Sequence, residues 1–202
     1  MVKSEIDPTF NSRLKIIGVM GSGTDPHRSL SLPLGRLIAE LGCHLLTGGG
    51  EGAMEAVSDA FFHVPNRKGK VIGIIRAGST EHLGPDKKLR HYKSFGPPNP
   101  WVEIPIFTHL PLSGSEGKED LSRNHINVLS SDVVIALPGE AGTLSEVELA
   151  IEYQWPLILF LGADTVNGRC AASFQTGYSR SIQIAANIGE VEEKLRGFLE
   201  MK

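Results

Sequence analysis

The sequence predicts an α/β protein built on one open, doubly wound sheet, mostly parallel, of about seven strands with helices on both faces. Three observations carry this. Short apolar runs rich in branched residues alternate with longer segments of helical period, which is the pattern of a parallel sheet covered by helices. The 202 residues suit one core, so residues 1–202 are expected to form a single domain. Glycine-containing turns follow three of the apolar runs, at the strand ends where such a sheet opens toward ligands.

Taken in order, "LKIIGVMG" is a strand and "LPLGRLIAELG" the helix behind it. "CHLLTG" is followed by "AMEAVSDAFFHV", and "KVIGII" by a long loop. "VEIPIFT" leads through "EDLSRNHINVLS" to "DVVIALPG", whose helix is "LSEVELAIEY". "PLILFLG" precedes a second loop, and "SIQIA" precedes a last helix, "GEVEEKLRGFLE". The apolar runs read as strands because they are short and bounded by turn residues, and the intervening segments as helices because their apolar positions recur at three and four.

Two stretches break the alternation. Residues 77–100, rich in Gly, Pro and charge, are too long for an ordinary connection and are expected to be a mobile loop near the site. Their Lys87, Lys88, Arg90 and Lys93 either attract an anion or are simply solvated. Residues 162–180 form a second polar connection, either a ligand rim or slack.

Composition narrows the function. Hydrophobic residues at 41%, charged residues at 21% and a net charge of −3 describe a globular chain with no basic footprint for a phosphate backbone. Nucleic acid is not an expected partner. The longest apolar run, "PLILFLGA", falls far short of the ~20 residues of a membrane span, and the amino terminus lacks the apolar core of a signal peptide. Cys43 and Cys170 stand apart and in no metal-ligand spacing, as in a reducing compartment. Cys43 is expected to be a buried small hydrophobe. A cytoplasmic protein that does not meet membranes, with no cofactor and no metal site, is the expectation.

The glycine turns carry the chemistry. Gly21-Ser22-Gly23-Thr24 after the first strand fails as a dinucleotide fingerprint, because Asp25-Pro26 stands where the third glycine belongs and no acidic residue closes the second strand. Two later units resemble each other: in "LLTGGGEGAMEAV" and "IALPGEAGTLSEV", Gly49 aligns with Gly139 and Gly52 with Gly142, just ahead of a helix. Either these glycines only make tight turns, or they aim backbone N–H groups and two helix dipoles at one anion in a shared crevice. Glu146 has two readings as well. It closes a capping box, Thr143-Leu144-Ser145-Glu146, or it is an acid or base. Arg123 and Asn127, four apart, share one face of the preceding helix.

An arginine on one helix, a buried strand, a turn and a glutamate on the next helix resemble the LOG (Lonely Guy) group, part of a superfamily long mislabelled as lysine decarboxylases. Its G-G-G-x-x-G-x-M signature resembles Gly48-Gly49-Gly50-Glu51-Gly52-Ala53-Met54, which is one residue shorter between the glycines, and its P-G-G-x-G-T-x-x-E signature is matched by Pro138, Gly139, Gly142, Thr143 and Glu146, over roughly residues 14–160. The resemblance implies a Rossmann-like fold, usually a homodimer or larger homo-oligomer, that binds a nucleoside monophosphate. Active members hydrolyse the N-glycosidic bond to free base and ribose 5-phosphate. It implies Arg123 and Glu146 as the catalytic pair, and a ligand site at the glycine turns, to which Gly21 and Ser22 of the first turn also belong. A carboxylate can stabilise charge on the ribosyl group or activate water, and an arginine can grip phosphate or orient the carboxylate.

The chain departs from that pattern twice: the family's Arg-Lys pair is Arg123-Asn124, and its second glycine is Glu140. Loss of a cation and gain of an acid beside an anion site both weaken phosphate binding. The "SRN…N" arrangement is similar to the branch of molybdenum cofactor carrier proteins, which bind a phosphate-bearing pterin without turnover. Two functions therefore stand: a phosphoribohydrolase, and a carrier of a phosphorylated cofactor or nucleotide.

Overall fold

The computed structural model describes residues 13–78, 96–175 and 181–200. The strands are β1 (Ile16–Met20), β2 (His44–Thr47), β3 (Val71–Ile75), β4 (Ile104–Phe107), β5 (Val133–Ala136), β6 (Leu157–Leu159) and β7 (Ile182–Ile184). The helices are α1 (Arg28–Glu40), α2 (Ala53–Phe62), α3 (Asn124–Leu129), α4 (Ala141–Glu152) and α5 (Ile188–Glu200). All pairings are parallel, in the order β4-β3-β2-β1-β5-β6-β7. The chain winds outward from β1 to β4, then returns to lay β5 against the other side of β1. The sheet therefore has its topological switch point between β1 and β5, where open α/β sheets form ligand crevices.

The inner strands are apolar runs because both faces of the sheet are covered. Ile17, Val19, Leu45 and Ile135 face one way, onto Leu34 and Ile38 of α1, Val57 and Phe61 of α2 and Leu195 of α5. Met20, Leu46, Val134 and Leu157 face the other way, onto Val128 of α3 and Val147 and Leu149 of α4. Cys43 is buried in the first cluster, as expected, and burial raises its thiol pKa. β4 is the exception: it is an exposed edge, and it carries Pro105, a residue that edge strands tolerate. Arg13 makes a two-pronged ion pair with Asp132 (2.7 and 2.9 Å), and Asp132 also accepts the Ile16 N–H (2.9 Å), tying the start of β1 to the start of β5.

Several boundaries differ from the periodicity. α1 begins at Arg28, ahead of the expected "LPLGRLIAELG", and takes Pro33 into its second turn. Ser31 Oγ secures that start through bonds to Pro26 O (2.7 Å) and His27 O (3.1 Å). α3 is only Asn124–Leu129, so Arg123 is its N-cap residue rather than a residue within it. α4 begins at Ala141, with Glu140 as N-cap. Thr143 therefore lies inside the helix and Glu146 in its second turn, which removes the capping box. The apolar face of α4 covers the sheet, with Val147, Leu149 and Ala150 buried. The connection after β6 is not slack: Val166 and Phe174 are in the core. Most of the expected mobile loop, residues 79–95 with its lysines, lies outside the described residues. Among the described residues no helix is long and apolar enough to cross a membrane, and no group of His, Cys, Asp and Glu could hold a metal ion.

Candidate functional site

Three strand-end turns meet at Ser22. Its N–H donates to Pro138 O (2.9 Å) and its carbonyl accepts from Ala53 N (2.9 Å), so the ends of β1 and β5 and the start of α2 are joined through one residue. Gly52, the N-cap of α2, has φ 63° and ψ −129°, and a Cβ there would lie 2.5 Å from Ser22 O. Only glycine accommodates both constraints. Gly21 is packed against Ala53 and Leu137.

The two glycine turns are not equivalent. Gly49 and Gly52 have positive φ, whereas Gly139 and Gly142 do not. Gly139 is required by proximity: a Cβ would collide with the Thr143 hydroxyl and stand 2.8 Å from Ser22 N. Its N–H donates to Thr165 O (3.3 Å) and its carbonyl accepts from Asn167 N (2.7 Å), so the connection after β6 holds this turn. Ser22 Oγ donates to Glu140 Oε1 (2.9 Å) and accepts from the N–H groups of Thr24 (3.1 Å) and Asp25 (2.9 Å). Pro138, Gly139 and Glu140 line a depression with Asp25, His27 and Asp164. Gly142 faces Gly114, and Thr143 is buried.

Gly48, Gly49, Gly50 and Met54 open onto a different, adjoining cleft of about 470 Å³, also lined by Glu51, Ile75, Pro98, Arg76 and Arg123. The turn is held by Asn99, whose N–H donates to Gly49 O (2.8 Å) and whose Nδ2 donates to Gly50 O (2.9 Å). Arg123 reaches across from α3, and its Nη1 donates to Gly48 O and to Ile74 O. A Cβ on Gly48 would lie 2.5 Å from Nη2, so this glycine makes room for the guanidinium. Its Nε is buried without a hydrogen-bond partner. Burial lowers the arginine's pKa, Glu146 raises it and Arg76 lowers it further.

Glu146 is 8% exposed and is not among the residues lining the cleft. Its Oε1 accepts from Asn127 Nδ2 (2.7 Å), and Asn127 stands one turn from Arg123, its N–H donating to Arg123 O (3.0 Å). Burial raises the Glu146 pKa, against the pull of the Asn127 bond and the Arg123 charge. Arg123 and Glu146 are thus neighbours through Asn127, with only the arginine at the cleft wall. Asn124, where the family pattern has lysine, is buried and donates to Ser145 Oγ (2.8 Å), which donates to Gly142 O (2.7 Å). It braces α3 against α4.

Among the residues not found from sequence are Arg76, which lines the cleft, and Asn99, which supports its glycine turn. Arg76 carried a signal, being the first charged residue after the apolar run of β3. Asn99, within "PPNP", carried none, because its role depends on a distant turn folding beside it.

A doubly wound parallel sheet whose carboxyl ends present glycine turns and a half-buried arginine defines a protein of the Rossmann-like class. Within it, the chain belongs to the SLOG cluster4 family, whose model matches residues 14–191. No curated protein sequence matches the chain. Among solved structures, it is similar to the Moco carrier protein from Chlamydomonas reinhardtii (27% identity, TM-score 0.67, 94% of this chain and 100% of that one). It is also similar to the molybdenum cofactor binding protein from the phototrophic bacterium Rippkaea orientalis (32%, 0.65, 93% and 99%). DNA processing protein A from Helicobacter pylori, described by its single-stranded DNA binding mode, shares 16% identity with TM-score 0.55 over 95% of this chain and 84% of that one, a likeness of fold alone.

Proposed function

We propose that this protein binds a phosphate-bearing small molecule, a molybdopterin-like cofactor or a nucleotide, in the cleft at the carboxyl ends of β2 and β3, and releases it intact. The observation that carries the reading is the division of the arginine–glutamate pair: Arg123 lines the cleft, while Glu146 is held by Asn127 outside its lining. The cleft suits such a cargo because Arg76 and Arg123, with Glu51, line it beside a glycine turn that lets a ligand approach the backbone closely. The likeness to two proteins named for the molybdenum cofactor, along nearly the whole of each, supports the same class of ligand. Gly21, Ser22, Pro138, Gly139, Gly142 and Thr143 then serve as the frame of the site rather than its contact surface.

One observation favours phosphoribohydrolysis as a second reading. Burial raises the Glu146 pKa and so favours a protonated acid, the state needed to protonate a leaving base. Incubation with a panel of nucleoside monophosphates, followed by chromatography for free base and ribose 5-phosphate, separates the two. The carrier yields neither product. Base release that disappears in Glu146→Gln establishes the hydrolase in its place.

Assembly into a homodimer or larger homo-oligomer and a cytoplasmic setting belong to the same proposal. Apolar side chains left in solvent support the assembly: Leu129 and Tyr153 beside α3 and α4, and Ile104, Ile106 and Phe107 on the edge strand. Nucleic acid and membrane have no place in it.

A further inference from the structure

The glycine turn after β2 has its backbone acceptors engaged. Gly48 O accepts from Arg123 Nη1, Gly49 O from the Asn99 N–H (2.8 Å) and Gly50 O from Asn99 Nδ2 (2.9 Å). The next residue, Glu51, is different. It is exposed, it is the one acid among the described residues that line the cleft, and no hydrogen bond or ion pair to a described residue holds its carboxylate. Glu51 also lines the neighbouring depression with Trp101, which places it at the lip of the cleft. Beside it the lining is apolar: Met54, in the first turn of α2, lies over the turn with its Cε 2.8 Å from where a Cβ on Gly50 would stand, and Ile75, Pro97 and Pro98 complete that part of the wall.

An acid in this place works against an anionic ligand, because a carboxylate repels a phosphate. The opposition is offset when the ligand brings donors for the carboxylate. A carboxylate offers two acceptor oxygens and no donor, so the group that fits it best is a pair of adjacent N–H donors in one plane. Guanine and pterins carry that pair, a ring N–H beside an exocyclic amino group. Adenine has its amino group beside a ring acceptor, and hypoxanthine has the ring N–H alone.

We propose that Glu51 is the specificity residue for the ligand's ring, and that it selects a heterocycle of the guanine or pterin class, whose edge presents a ring N–H beside an amino group, over adenine. This rests on the binding reading above and adds which ring the cleft accepts and which side chain selects it. The carboxylate suits the task because the carbonyls of the turn already have donors, and the apolar wall beside it offers a flat ring a surface on which a few polar groups fix its orientation.

The test is calorimetric titration of the purified protein with GMP, IMP and AMP, comparing wild type, Glu51→Gln and Glu51→Ala, with thermal melts to establish that each is folded. The three ligands share one ribose phosphate and differ at the ring edge, IMP being GMP without its amino group. The inference expects wild type to bind GMP at least about tenfold more tightly than IMP or AMP, the discrimination of a good two-pronged pair. Glu51→Ala should bind the three alike, with AMP held no more weakly than by wild type, and Glu51→Gln should lose most of the preference. Equal binding of the three by wild type, or a preference for GMP that survives in Glu51→Ala, overturns the inference and leaves the binding reading standing. So does a gain in the variants that is the same for all three ligands, which marks Glu51 as a solvated charge that only repels phosphate. A wild-type protein that does not take up GMP overturns the inference as well, and if it also releases no phosphorylated molecule on denaturation, the binding reading falls with it.

Discussion

At Glu146 the helix boundary changes the chemistry expected of the side chain. A capping glutamate would meet backbone N–H groups in water, but this one is buried and meets the Asn127 amide. Because burial raises its folded-state pKa above the ordinary 4.5, the protonated form is the one the fold favours. The stability this group contributes is present below 4.5 and is lost as pH rises through the folded value. Glu146→Gln, which is neutral and still accepts from Asn127, should therefore gain thermal stability over wild type as pH rises above 4.5; melting curves across a pH series should show the gap widening, and a constant gap would deny the shift. Asn127→Ala leaves the buried carboxyl group without its donor and should lower unfolding free energy by about 1–3 kcal/mol, read by urea denaturation. The family signature marked Arg123 and Glu146 in the sequence because both types sit in a spaced motif. It could not separate them by depth, which depends on α3 starting only after Arg123.

The elements were legible to different degrees, and for identifiable reasons. All seven strands follow from apolar runs, the inner ones because a sheet covered on both faces requires them, and the exposed edge β4 because it keeps Ile104, Ile106 and Phe107. Helix starts were less legible at α1, α3 and α4, which begin without a side-chain cap, the signal from which starts are usually read. α5 shows the contrast: Glu190 N donates to Asn187 Oδ1 (3.0 Å), and the start expected from sequence lies within one residue of the observed Ile188. In place of caps, backbone contact with Ser22 fixes the start of α2, which makes Gly52 sensitive. Gly52→Ala should cost more than about 1 kcal/mol, because it adds strain at positive φ to a collision with Ser22 O. Chemical denaturation measures it, and a neutral effect would mean that the turns are not tied through Ser22. Arg13→Ala should cost on the order of 1–3 kcal/mol by freeing one partner of a largely buried carboxylate, with the loss visible as a lower melting temperature.

Across the whole molecule, the winding of the sheet determines where binding can occur. The return of the chain from β4 to β5 places the ends of β1 and β5 side by side at the switch point, and Ser22 ties the turn after β2 to both through its bonds with Pro138 and Ala53. The sequence placed both turns correctly along the chain but treated them as two halves of one crevice. In space they open onto adjoining depressions, a separation produced by Glu140 on Ser22 and by the connection after β6, neither of which has a local signature. Sedimentation at micromolar concentration should show a dimer or larger species, and a monomer would count against assembly through the exposed apolar side chains. The central claim, that the cleft binds a phosphorylated small molecule and returns it unchanged, is tested most directly by denaturing the purified protein and identifying what it releases by mass spectrometry. The account predicts an intact phosphate-bearing cofactor or nucleotide in near-stoichiometric amount. Free base with ribose 5-phosphate, or a released molecule bearing no phosphate, would contradict it.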